Sequence, residues 1–133
     1  MKKLLLISVL LLNGCALTDA YFMAKYDTTE YSLINQVKTK ALLAQETCFD
    51  TATSKTKIYE LYATTTEFRN FTFHIPRNED ATNMAGKLVA LVGDSKEHYK
   101  KTDKVSEIYC KAKLQQIVRS ADQIQSTLGA KPR

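Results

Sequence analysis

Cys110, Leu114, Ile117, Ala121, Ile124 and Leu128 follow one another at steps of four, three, four, three and four residues. A 3.6-residue period puts such positions on one stripe of a helix, and only a helix with a buried face has reason to keep that spacing. Val105, Ile108 and Val118 reinforce the stripe, and Gly129 and Pro132 supply the expected stop signals. The same rhythm runs through Tyr31, Ile34, Val37, Ala41, Ala44 and Cys48, broadened by Leu33, Leu42 and Leu43, and predicts a helix over about 28–49. Its polar side carries Gln36, Lys38, Lys40, Gln45 and Glu46. Asp27 and Glu30 stand at capping-box spacing, Asp27 accepting from the amide of Glu30 while the Glu30 side chain reaches back.

Two weaker patterns lie between these segments. Ile58, Leu61, Thr65 and Phe68, with Tyr62 beside them, follow a polar break at 51–54 and predict a helix to about residue 70. Residues 71–76 are left open between strand and loop. Phe71, Phe73 and Ile75 alternate with Thr72 and His74, the threonines at 64–66 are poor helix formers, and Pro76 pushes its predecessor out of the α region. After Asn78 or Asp80 the three-four rhythm resumes with Ala81, Met84, Leu88, Leu91, Ser95 and His98. Gly86 and Gly93 share a face of this helix, where they either admit a close neighbour or each cost about 1 kcal/mol of helix propensity. Four segments joined by short polar connections predict an all-α fold, a small antiparallel bundle of three to four helices, and a chain of 133 residues has room for one such domain.

The start of the chain does not belong to that bundle. Lys2 and Lys3 precede an apolar run at 4–12 in which Ser8 is the one polar residue. At about 1.5 Å per residue this run is too short to cross a hydrocarbon core of about 30 Å. Charge followed by a short apolar run is the order of an export signal, which is removed. Leu12-Asn13-Gly14-Cys15 resembles a bacterial lipobox, with Leu three positions before the Cys and a small residue just before it. The resemblance implies cleavage between Gly14 and Cys15 and lipidation of Cys15 through a diacylglyceryl thioether and an N-acyl group. Ala16, in place of Asp, implies delivery to the periplasmic face of the outer membrane. An ordinary secretory signal with an incidental Cys15 is the alternative. The chain then divides into a signal peptide at 1–14, a lipidated tether at 15–26 and a helical domain at 27–133.

Processing also corrects the charge. The formal net charge of +5 includes Lys2 and Lys3, and without them 17 basic residues stand against 14 acidic ones. The chain has no long run of like charge and no basic motif interleaved with aromatics, so nucleic acid is not an expected partner. With Cys15 lipidated, Cys48 and Cys110 form an even pair in an oxidising compartment, most simply one disulfide. An up-down-up-down bundle sets the end of its first helix beside the start of its fourth, where these two residues fall.

The sequence carries few residues at spacings that chemistry needs. His74 and His98 are the only histidines, far apart in sequence, and neither an H-E-x-x-H nor a C-x-x-C pair is present. His74 is expected as a half-buried ring near a turn and His98 as a helix-boundary residue. There is no nucleophile elbow, phosphate-cradling glycine loop or S-x-x-K pair, so neither catalysis nor a cofactor nor a metal is expected. Asn70-Phe71-Thr72 matches a glycosylation acceptor in form only, since a lipobox belongs to a bacterial cell. Seven Tyr suit either interfaces or the boundary of a bundle. Tyr21, Phe22, Met23 and Tyr26 lie close to Cys15 and suit a membrane interface or an extension of the first helix. Lys96, Lys100, Lys101, Lys104, Lys111 and Lys113 are interleaved with Asp94, Glu97, Asp103 and Glu107, as on a solvated face, with an anionic docking patch as the alternative.

Three features, Y-D-x-x-E-Y-x-L-I at Tyr26 to Ile34, the spaced Cys pair and H-I-P at His74 to Pro76, resemble lipoproteins carried by tailed phages. The nearest functional class is the outer lipoprotein subunit of spanin complexes. That resemblance implies a membrane anchor at Cys15, a periplasmic protein partner in the form of an inner-membrane coiled-coil subunit, and disruption of the host outer membrane in the last step of lysis. A superinfection-exclusion or receptor-blocking lipoprotein and an envelope structural lipoprotein are the alternatives.

Overall fold

A computed structural model describes residues 23–133. The expected signal segment, Gly14 and the lipid-attachment residue Cys15 lie outside the described residues. Three of the four helices begin where a short polar side chain satisfies a free amide. Helix α1 spans Thr28–Ala44, capped by Asp27, whose carboxylate accepts from the Glu30 amide at 2.8 Å. A single 3-10 turn, Gln45–Thr47, continues it to Cys48. Helix α2 spans Thr51–His74 behind Asp50, which accepts from the Thr53 amide at 2.9 Å. Helix α3 spans Glu79–Lys101, and α4 spans Glu107–Gly129 behind Ser106, whose hydroxyl accepts from Tyr109 at 3.2 Å.

The four helices close into a ring in which α1 packs on α2 and α4, and α3 packs on the other sides of the same two. The antiparallel bundle expected from the spacing is the fold observed, all-helical among the described residues. Its core takes Ile34, Val37 and Ala41 from α1, Ile58, Leu61 and Phe68 from α2, and Leu114, Ile117, Ala121 and Ile124 from α4, each 2% exposed or less. Cys48 and Cys110 are joined, with Cα atoms 5.6 Å apart and a separation of 62 positions in sequence. The disulfide ties the end of α1 to the first turn of α4.

The stripes shift in places. In α3 the buried set is Ala81, Ala85, Leu88, Val92, Ser95 and Tyr99, so Met84, Leu91 and His98 sit at the edge of the stripe. Both sets keep a three-four rhythm, and the neighbours α2 and α4 select the one that faces them. Ile108, read as part of the α4 stripe, is 83% exposed, because two residues before Cys110 is half a turn away from the core. Leu42 and Leu43 likewise face out, at 46% and 58%.

Residues 71–74 are helical, where the sequence left strand and loop open. The threonine run is accommodated because each hydroxyl donates to the carbonyl four residues back, Thr64 to Glu60, Thr65 to Leu61 and Thr66 to Tyr62, at 3.1, 2.7 and 2.8 Å. Ile75, ahead of Pro76, turns extended and ends α2. Arg77 then takes φ 59, the left-handed conformation that reverses the chain into α3.

Gly93 serves close approach: a Cβ there would meet the Tyr62 ring at 3.4 Å. Gly86 does not, since nothing lies within 4 Å of a Cβ built on it.

Candidate functional site

The two ends of the bundle differ in chemistry. At the end where the described chain begins, three polar side chains from distant parts of the sequence meet below the surface. Glu30 lies on the α1 stripe one turn before Ile34 and is 0% exposed. Its carboxylate accepts from Lys131 Nζ at 2.7 Å through one oxygen and from Asn78 Nδ2 at 2.6 Å through the other. Asn78 Nδ2 also donates to the Thr72 carbonyl at 3.1 Å, and Asn78 Oδ1 accepts from Lys131 at 2.6 Å. Asn78 precedes α3 without capping it, because its side chain is turned into this cluster.

The expected capping box is therefore half formed. Asp27 caps, but Glu30 pairs with Lys131 instead of reaching back. The ammonium neutralises the carboxylate, and burial closes both to solvent, which suits a structural tie rather than acid-base work.

The backbone reinforces the same junction. The Ala24 amide donates to the Arg77 carbonyl at 3.2 Å and the Tyr26 amide to the Pro132 carbonyl at 2.8 Å. The Tyr26 ring lies 5.7 Å from Tyr31, with the Arg133 guanidinium 5.3 Å from its centre. Residues 23–26, the described part of the expected tether, thus lie against the α2–α3 turn and the C-terminal tail. Met23 among them is 48% exposed, and Phe73, in the last turn of α2, is 64% exposed.

The opposite end is held covalently. Around the Cys48–Cys110 bridge, Thr51 receives the Val105 amide at 3.2 Å, fastening the α3–α4 connection to the start of α2. Phe49, beside Cys48, is 80% exposed, and Ile108, Leu42 and Leu43 add apolar surface at the same end. Thr53 holds the Asp50 carboxyl below the usual carboxylate range, through its hydroxyl first and its amide second.

The histidines stay apart. His74 is exposed, not half buried: as the last residue of α2 it points away from the core, its Nδ1 2.7 Å from the Asn70 carbonyl and its ring edge-on to Phe73. His98 lies against Tyr109, with ring centres 4.1 Å apart. No group of three or more His, Cys, Asp and Glu is placed to hold a metal ion among the described residues. A shallow trough of about 750 Å³ runs along α2 from Tyr62 to His74, open to solvent and almost wholly apolar.

The tyrosines divide. Tyr99 is 1% exposed, Tyr31, Tyr62 and Tyr109 pack partly buried against the core, and the Lys96 ammonium sits 4.3 Å from the centre of the Tyr62 ring. Most of the described tyrosines are boundary residues of the bundle. Burial pushes the Tyr99 phenol up, with Ser54 pulling weakly the other way, and burial followed by the nearby Tyr99 and Asp94 charges pushes up Tyr109.

The sequence reading missed the Glu30–Asn78–Lys131 cluster. One signal was present, since Glu30 stands in line with the apolar stripe one turn ahead of Ile34; nothing marked Asn78 or Lys131 as its partners. No family model, curated protein or solved structure matches this chain.

Proposed function

We propose that this chain is an outer-membrane lipoprotein that acts without catalysis as the outer subunit of a spanin complex. The observation that carries the reading is Leu12-Asn13-Gly14-Cys15 behind a cationic, apolar start. Lipid at Cys15 holds the protein to the membrane, and burying two or more acyl chains is enough for stable anchoring. The two-ended build of the bundle supports the assignment. The chain enters at the Glu30 end, while Phe49 and Ile108 stand exposed at the other, about the length of α2 away, on the order of 36 Å for 24 residues. A body of that length cannot bridge a periplasm alone, so it works through a partner, an inner-membrane coiled coil in this reading.

The test is host lysis. Deleting the gene, or replacing Cys15 by Ser in a copy supplied in its place, is expected to stall release of progeny and leave spherical cells. Normal release from both strains would sink the assignment.

A further inference from the structure

Resting on the lipoprotein reading, we propose that the Glu30 end of the bundle is itself a membrane-contact face. Met23, Phe73 and Pro76 enter the headgroup boundary of the bilayer that holds Cys15, so that the bundle stands end-on.

The tether limits how far this end can lie from the lipid. Eight residue steps separate Cys15 from Met23, so even fully extended chain sets Met23 within about 29 Å of the anchor. Met23 has no freedom to carry that slack away from the bundle, because Ala24 is bonded to Arg77 and Tyr26 to Pro132. The end containing the α2–α3 turn is therefore the end kept nearest the lipid.

The apolar side chains of that end are also exposed. Met23 shares a hollow with Arg77, Asn78 and Glu79, and Phe73 shares the adjoining one with Ile75, Asn78 and Glu79. Met23 and Phe73 thus flank one turn, 48% and 64% exposed, with Pro76 exposed between them. An amphipathic end beside an acyl anchor suits burial in the headgroup boundary. Charge does not drive it: Lys25, Arg77, Lys131 and Arg133 are matched there by Asp27, Glu30, Glu79 and Asp80. Contact is therefore expected to be indifferent to the anionic lipid content of the membrane.

The chain has no Trp, so one introduced Trp reports from one place. Full-length acylated protein carrying Phe73→Trp, Met23→Trp or, at the far end, Phe49→Trp is reconstituted into phosphatidylethanolamine–phosphatidylglycerol vesicles with brominated acyl chains. All three positions are exposed, so each variant is expected to fold. The expected result is blue-shifted, lipid-quenched emission for Phe73→Trp and Met23→Trp and unquenched emission for Phe49→Trp, unchanged when the phosphatidylglycerol fraction is lowered.

Unquenched Phe73→Trp in protein shown by mass spectrometry to be acylated overturns the membrane face while leaving the lipoprotein reading intact. Shielding of that Trp from an aqueous quencher without lipid quenching assigns the face to a second copy of the chain and also overturns it. Equal quenching of all three means a bundle lying on its side and rejects the end-on geometry. Absence of acyl chains on Cys15 removes the lipoprotein reading and this one with it.

Discussion

Glu30 is the residue whose surroundings say most about how this small bundle is held. Its carboxylate and the Lys131 ammonium are 0% and 8% exposed, and Asn78 bridges them. Removing one charge leaves the other buried without a counter-charge, which typically costs 3–5 kcal/mol. Lys131 keeps 8% exposure, so its ammonium has partial access to water and the lower part of that range applies. Glu30→Gln is expected to lose about 3 kcal/mol in denaturant unfolding, and Glu30→Leu combined with Lys131→Met to recover most of it. A double variant as unstable as the single one would show that the pair contributes more than mutual compensation. Tyr99 presents the opposite case. Its hydroxyl is buried without a hydrogen-bond partner of good geometry, so Tyr99→Phe is expected to leave stability unchanged or raise it by up to about 1 kcal/mol. The same burial gives a pH dependence. A phenol held above its ordinary value of 10.0 ionises first in the unfolded chain, so the native state keeps its full margin below pH 10.0 and loses it as pH rises through the folded value. Thermal melts between pH 9 and 11 should fall less steeply for Tyr99→Phe than for the parent.

At the scale of elements, the helices separate local preference from packing. Caps at Asp27, Asp50 and Ser106 follow from residue type alone. The α2 helix does not: its threonine run and the alternation of Phe71, Phe73 and Ile75 argue locally for extended chain, yet α2 continues to His74. Back-bonded hydroxyls and burial of Thr65, Phe68 and Thr72 against neighbouring helices outweigh that preference. In α3 the two glycines have different reasons. With nothing near a Cβ at position 86, Gly86→Ala is expected to gain about 1 kcal/mol from helix propensity, measured as a rise in melting temperature. Gly93→Ala is expected to gain less, since its methyl meets the Tyr62 ring at 3.4 Å.

For the whole molecule, the ends decide how the ring of helices stays closed. The Cys48–Cys110 bridge spans 62 residues and fastens α1 to α4, and the chain-entropy cost of that loop is about 4 kcal/mol in the unfolded state. Cys48→Ala with Cys110→Ala, or reduction of the parent, should therefore lower unfolding free energy by about 4 kcal/mol while helical circular dichroism at low temperature persists. Loss of helix on reduction would mean that the core alone does not hold the bundle. Much of this architecture was legible beforehand, because a stripe at three-four spacing is a one-dimensional record of a buried face. Four such stripes with short connections leave few arrangements, and the positions of Cys48 and Cys110 select among them. Exposed ends were less legible: Ile108 and Leu43 look like core by type and turn out to face water. The amino-acid sequence by itself determined four helical segments, the Asp27 cap, the bundle and its disulfide, since each rests on spacing or on neighbours a few residues away. Only the tertiary structure decided that Glu30, Asn78 and Lys131 share one buried site and that Met23 and Phe73 flank one turn. Those pairings join residues 48 to 101 positions apart in the cluster, with no period to announce them, and they exist only because the folded ends bring three chain segments to one place.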